Sequence, residues 1–255
     1  MLRFLQKNVA SRGVRWHTLS TMNLLSINAD AKTRKGTSLG ILTGILYLAP
    51  SDESEVINTC SNATKGCRLS CLFTAGRGAF SNVRKARIAK TVWFARDRDG
   101  FMNQLVKDIN ALIRKAIKMG MQPAIRLNGT SDIAWETIKD SNGDTIFDRV
   151  IMGTQFYDYT KSESRMIAYL QGKMPSNYHM TYSRSENDDG FKIMEMGGNV
   201  AVVFAGNSMP DKYMGIKVIN ADLTDVRFMD PKGVVCGLRA KGRARKDKSG
   251  FVVAV

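Results

Sequence analysis

Three of the chain's four cysteines, Cys60, Cys67 and Cys71, fall within "NTCSNATKGCRLSCLFTAGRG", residues 58–78. The spacing, Cys-x6-Cys-x3-Cys, lets one loop present several thiolates, the donors preferred by zinc and by the iron of Fe–S clusters. Lys65, Arg68 and Arg77 are the cations nearest in sequence and are expected to favour the thiolate form. A structural zinc takes four protein ligands, so three would leave one position open for water, substrate or a cofactor. Cys236 and His179 are the residues left to supply a fourth, although both sit in strand-like runs where burial alone accounts for them. The competing reading is that the three cysteines are small packing residues or a redox pair.

A second group of reactive side chains recurs where apolar runs turn polar. It comprises Arg126, Asn128, Ser131 and Asp132, then Asp158, Tyr159, Thr160 and Lys161, then Ser183, Arg184 and Glu186, and later Asn207, Asp222 and Asp225. Asp132 and Asp158 are the candidate catalytic carboxylates, as base, nucleophile or ribose ligand. Arg126, Asn128, Tyr159, Lys161 and Arg184 form the candidate substrate-binding set, with the three cations suited to phosphate. Some of these residues are expected only to end strands and cap helices. Neither "GKMPS" nor "GRGAF" matches a phosphate-binding loop.

The net charge of +15 is unevenly spread. Residues 1–40 carry seven Lys/Arg against one acid, 65–98 nine against one, and 237–250 six against one, which leaves the rest of the chain net negative. Clustered basic charge is the footprint of a polyanion partner, so nucleic acid is expected, with Arg84, Lys85, Arg87, Arg243, Arg245 and Lys246 as contacts. No apolar run approaches the ~20 residues that span a bilayer, so no membrane partner is expected. Four cysteines do not make a disulfide scaffold, which points to a reducing compartment.

The elements that must position these groups follow from periodicity. "LGILTGILYLAP" (39–50) reads as a buried strand or strand pair, with the cysteine loop directly after it. "SNVRKARIAKTVWFARD" reads as a helix capped by Ser81 or Asn82, with Val83, Ala86, Ala89, Val92 and Trp93 on one face. Phe101, Leu105, Ile109, Leu112, Ala116 and Met119 mark a second helix, closed by Gly120. Six strand-like runs follow: "PAIRLNGTSD", "RVIMGTQFYDYTKS", "NYHMTYSRSE", "NVAVVFAG", "GIKVINADLTD" and "GVVCGLRAKG". Between them "IAWETIKD", "SRMIAYLQGK" and "FKIMEMGG" are expected helices. This alternation predicts an α/β fold, a complete or partial (β/α) barrel-like parallel sheet with a cysteine-bearing loop after the first strand; an open doubly wound sheet is the alternative. Residues 22–255 are expected to be one domain. Residues 1–21, with His17, are expected to be a basic arm or an extension upstream of a start at Met22, a transit peptide being the other reading.

The arrangement resembles the gene-product-88-like family of phage and plasmid proteins. "NADAKTRKG" is similar to that family's opening, "TCSNATKGCRLSCLFTAGRG" to its cysteine segment, "AIRLNGTSDIAWE" to its Arg-Leu…Asp element, "FYDYTKS" to its Tyr-x-Tyr-Thr stretch, and "VRFMDPKGVVCGLRAKGRARKD" to its carboxyl end. Ser61 stands where the family often has proline. The resemblance implies a phage setting, hence a host-cytoplasmic protein rather than a mitochondrial one, and brings no reaction with it. Two enzyme analogies remain. A radical S-adenosylmethionine enzyme also carries three cysteines after the first strand of a partial barrel, but with spacing CxxxCxxC, and here Thr74 stands where its third cysteine would. A queuine-type base-exchange enzyme uses an aspartate nucleophile and a zinc site of different spacing. The resulting expectation is a barrel enzyme binding zinc or an Fe–S cluster, with S-adenosylmethionine as a candidate cofactor, acting on nucleic acid or a nucleotide. A non-catalytic, metal-stapled DNA-binding or host-modulating protein is the alternative.

Overall fold

The computed structural model describes residues 22–27, 31–151 and 153–255. The expected arm at 1–21, His17 included, lies outside the described residues, as does Asn28 of the family-like opening.

A ten-stranded sheet organises the chain. In chain order its strands are β1 (Leu25–Ile27), β2 (Ile41–Leu46), β3 (Gln122–Arg126), β4 (Gln155–Thr160), β5 (Tyr178–Ser183), β6 (Val200–Phe204), β7 (Lys212–Tyr213), β8 (Ile216–Asn220), β9 (Val235–Arg239) and β10 (Val252–Val253). All six runs read as strands after residue 122 contain one. The spatial order is β1-β2-β3-β4-β5-β6-β9-β8-β7. Neighbours from β2 to β8 are parallel, whereas β1 and β7 pair antiparallel at the two edges. β5 pairs only Val200 and Ala201 of β6, and β10 pairs Val203 and Phe204. Because β9 fills the opposite edge of β6 along its whole length, β10 continues the β5 side.

The first and last strands of this path do not pair, so among the described residues the sheet is open and does not close as a barrel. The order also reverses after β6, where β9 inserts ahead of β8.

Strand alternation sorts the side chains onto two faces. Leu42, Leu46, Ile125, Phe156, Met180, Val202 and Val235 join one large core with the helices. The helices are α1 (Ala31–Thr37), α2 (Lys65–Leu69), α3 (Ser81–Arg96), α4 (Arg98–Lys118), α5 (Ile146–Arg149), α6 (Glu163–Leu170) and α7 (Phe191–Glu195). α4 bears out its periodicity as far as Ala116: Phe101, Leu105, Ile109, Leu112 and Ala116 are fully buried, each large side chain contributing roughly 1.5–3 kcal/mol, whereas Met119 is exposed because the helix ends at Lys118. Gly120 follows it with φ of 64°.

α3 departs from expectation. Phe80 holds its N-cap position with no side-chain cap, so neither Ser81 nor Asn82 caps it. Its buried residues are Lys90, Thr91, Trp93 and Phe94, all in the second half; the first half lies over the cysteine segment and leaves Ala86 exposed. "IAWETIKD" forms only a short 3-10 turn, Trp135–Thr137, because Asn128 Oδ1 draws in Ile133 N and Trp135 Nε1.

The opposite face of the sheet is covered by the chain after β8. Val226 packs with Ile41, Ala124 and Tyr157, and Ala221 with Ala201 and Cys236. No helix among the described residues is long and apolar enough to cross a membrane.

Candidate functional site

At the carboxyl ends of the parallel strands, where loops gather and backbone dipoles are unspent, lies a cavity of about 230 Å³. Its lining includes Arg126, Asn128, Asp132, Tyr159 and Lys161 from the strand ends and Cys60, Cys67 and Cys71 from the segment after β2. Sequence reasoning expected both groups, and the structure brings them to one chamber. The same three cysteines also line a second cavity of about 430 Å³ bounded by Asp52, Glu53, Arg68 and Arg84. The cysteine segment is thus a wall between two chambers.

The wall is fixed from several sides. Thr59 Oγ1 donates to Ala49 O at 2.6 Å, and Asp132 N donates to Thr59 O at 2.8 Å. Thr64 caps α2 by accepting from Cys67 N, while Glu186, beyond β5, accepts from Thr64 Oγ1 and Gly66 N at 2.6 Å each. Burial acts to raise the Glu186 carboxyl, but these bonds hold it below its ordinary value. Gly66 leaves room for these partners: a Cβ there would stand 2.3 Å from Ser249 Oγ and 2.7 Å from the Glu186 carboxylate and would push both aside.

Burial pushes all three thiols up, Cys71 to about 11. This corrects the expectation that Lys65, Arg68 and Arg77 favour thiolate. All three cations are exposed, and Arg68 is spent on Asp52 at 2.8 Å. The cations that do act on the thiols come from elsewhere, Lys161 on Cys67 and Arg87 on Cys71. Arg87 lies with its guanidinium 4.9 Å from the Tyr47 ring centroid, and its buried Nε and Nη1 lack hydrogen-bond partners. Cys236 is buried and donates to Asp230 Oδ2 at 3.5 Å, and His179 Nδ1 meets Tyr169 Oη at 3.0 Å; neither lines either cavity. Among the described residues no three His, Cys, Asp or Glu side chains stand close enough to hold a single metal ion.

The strand-end residues divide by role. Arg126 pairs Asp225 at 3.0 Å and lies over the Tyr159 ring. Lys161 Nζ donates to Ser183 O, Ser183 Oγ and Arg184 O, which uses all three of its protons, and Arg184 Nη1 donates to the carbonyls of Gly250 and Phe251. Both cations therefore strap backbone rather than point at a ligand. Asp132 stays on the cavity, its Oδ2 accepting from Lys161 N and its Oδ1 from Arg165 Nη1, each at 2.8 Å; burial raises its carboxyl despite Arg165. Gly129, in the same loop, is required by close approach: a Cβ would fall 2.6 Å from both Ile45 and Tyr47.

Asp158 sits on the helical face, fully buried and outside the cavity lining. It accepts from Asn128 N at 2.7 Å, from Tyr178 Oη at 2.8 Å and from Asn128 Nδ2 at 3.3 Å. It holds the 128–132 loop from behind. Burial pushes its carboxyl up to about 7. The folded chain therefore keeps a proton there that the unfolded chain releases above about pH 4. Stability consequently falls as pH rises from about 4 toward about 7, by an amount on the order of 4 kcal/mol. Urea denaturation across that range should show a fall in the wild type that Asp158→Asn reduces by about that amount. Parallel curves would mean that Asp158 is ionised throughout.

Sequence reasoning missed Lys32, Arg239 and Lys241 as cavity residues. All three converge on Asp222, Lys32 Nζ at 2.9 Å, Lys241 Nζ at 2.7 Å and Arg239 Nε at 3.7 Å. Burial acts to raise Asp222, but Lys241 and Lys32 hold its carboxyl far below the ordinary range. Arg239 and Lys241, two apart at the end of β9, fall on one side of the chain, which was the available signal.

Of the expected nucleic-acid contacts, Arg84 and Lys85 are exposed on α3, with Arg84 Nε 3.0 Å from Glu53. Arg87 is turned inward toward Cys71. Arg243, Arg245 and Lys246 are exposed on a 3-10 turn, Gly242–Lys246, which packs against the cysteine segment at Ala75.

No curated protein and no solved structure matches the chain. The family-like segments noted in the sequence do, however, converge here, the cysteine wall, the 126–132 loop, the end of β4 and the carboxyl-terminal basic turn meeting around one chamber, and a family match extends over residues 7–255: the chain belongs to the gene product 88 family.

Proposed function

We propose that this is a phage accessory protein whose cysteine wall holds a metal centre, an Fe–S cluster before zinc, and which works on nucleic acid or a nucleotide in the adjoining chamber. The observation that carries the reading is the joint position of Cys60, Cys67 and Cys71 between two cavities, facing the ends of the parallel strands. Arg87 supports it. A guanidinium with buried, unpartnered donors beside Cys71 needs a nearby anion, and a neutral thiol supplies none. A thiolate–metal centre would.

Two observations favour a cluster over a single zinc. There are three thiols, and Cys236 and His179, the residues left to complete a zinc site, lie elsewhere. One zinc at ~2.3 Å from each sulfur draws its ligands tightly together, whereas a polynuclear cluster spreads them over several iron atoms. Cys60, Cys67 and Cys71 would hold it. When bound, such a centre supplies electron transfer and, with three protein ligands, an open position for substrate or S-adenosylmethionine. Around it Asp132 is a carboxylate on the chamber, Tyr159 and Arg126 form a flat wall for a base, and Lys161 fixes the β5 end. In this reading the open parallel sheet serves as a partial barrel with its mouth at the cysteine wall.

The test is preparation without oxygen, followed by elemental analysis and a visible absorption spectrum. Iron with a sulfur-to-iron charge-transfer band supports the cluster, bound zinc supports the alternative metal, and well-folded protein with neither metal overturns the reading.

The exposed basic turn beside the wall favours nucleic acid as the partner. Replacing Arg243, Arg245 and Lys246 by alanine should flatten the dependence of log affinity on log salt by about 2.7 for duplex DNA, about 0.9 for each phosphate that is no longer neutralised. An unchanged slope would remove this turn from the interface.

A further inference from the structure

We propose that the exposed surface over residues 69–85, beside the cysteine wall, is a stacking platform for single-stranded nucleic acid centred on the Phe80 ring; this rests on the nucleic-acid reading above and not on the metal. The buried side of this segment is tightly held, yet its solvent side keeps three large apolar side chains close together in sequence. Leu69, Leu72 and Phe80 are 54%, 57% and 59% exposed. Phe80 also sits between two cations. Its N–H donates to Arg77 O at 3.2 Å, and its carbonyl accepts from Arg84 N at 3.0 Å. An exposed arginine therefore stands one turn to either side of the ring. Arg84 is held over the Phe73 ring by Glu53, whose carboxylate lies 3.0 Å from Arg84 Nε.

Charge selects the partner. From Lys65 to Arg96 the sequence contains no Asp or Glu. Glu53 and Asp52 reach back to Arg84 and Arg68. Among the described residues no carboxylate pairs with Arg77, Lys85, Arg243 or Lys246. A polyanion answers these cations, and one that carries flat apolar units also covers the ring and the two leucines. In a duplex each base is already stacked on its neighbours, whereas an unpaired base has a face to lay on Phe80. The 3-10 turns Leu72–Thr74 and Gly76–Ala79 pack on one another, and the first also packs on Gly242–Lys246. The platform and the basic turn are thus one continuous surface. Leu72 belongs to that surface and to the lining of the first chamber. A strand laid along it passes the chamber, where an unpaired base can turn inward without breaking a pair.

Fluorescence anisotropy tests this, with the full chain titrated at fixed ionic strength into a labelled oligodeoxythymidylate, an abasic strand of equal length and a duplex of equal length. The strand with bases should bind at least about fivefold more tightly than the abasic one, the worth of one stacked base. It should also outbind the duplex, whose denser charge would win on electrostatics alone. Phe80→Ala should erase most of the difference between the two strands and leave the abasic affinity unchanged, while Phe80→Trp should keep the difference. A duplex bound as tightly as the strand overturns the platform and leaves the nucleic-acid reading standing; so does a preference for bases that survives Phe80→Ala. Binding to none of the three overturns both. Polyglutamate of matched charge, bound as tightly as the thymidylate strand, would assign the surface to an acidic protein and overturn the platform.

Discussion

Replacing any one of Cys60, Cys67 and Cys71 by serine is expected to remove most of the bound metal, while Cys236→Ser keeps it. The three thiols share one wall, so removing one leaves two donors without the chelate that makes metal binding favourable. Cys236 belongs to a separate buried group with Asp230, and its thiol is pushed up to about 12 by burial. Metal uptake should also release protons, because burial keeps the thiols protonated in the free protein. Affinity then rises with pH. Metal content per chain for the four variants, each checked for folding by near-ultraviolet dichroism, decides the matter. Equal metal in all four would detach the cysteines from the centre.

Arg165→Met should cost about 3–5 kcal/mol of stability, the penalty for leaving buried carboxylates without their cation. Arg165 donates to Asp132 Oδ1 at 2.8 Å and to both oxygens of Glu136 at 2.7 and 2.8 Å. All three side chains are only 10–11% exposed. The double change Arg165→Met with Glu136→Met should recover part of the loss, since one of the stranded charges is gone. Urea denaturation of wild type, single and double variants gives the comparison. A single variant within about 1 kcal/mol of wild type would mean that the carboxylates take up protons or water at little cost.

Much of this was legible in the chain. The three-and-four spacing from Phe101 to Ala116 fixes α4 because one buried stripe must recur at that interval. The polar endings of the strand runs mark the end of the sheet where the chamber lies. Alternation would also have separated Asp158 from Tyr159: adjacent strand residues face opposite ways, so only one of them can share the face of Arg126. What the sequence could not convey is which cation meets which thiol. Lys65, Arg68 and Arg77 are near Cys67 along the chain but point to solvent, whereas Arg87 and Lys161 approach from α3 and from the end of β4. Nor could local pattern reveal that β9 inserts ahead of β8, because that order is set by long-range pairing. The open sheet is likewise a matter of which distant strands pair.

The seat of β10 beside β6 has a consequence for how the site comes apart. Phe251 lines the chamber and lies 4.8 Å from Lys161 Nζ, Val252 and Val253 complete the edge of β6, and Asp247 binds Ser70 in the cysteine segment. Residues far along the chain from the cysteine segment therefore close the chamber that it begins. Until residues 247–253 are seated, the cysteine wall lacks part of its support. Loosening of that short strand would therefore open the chamber and slacken the cysteine wall in a single event.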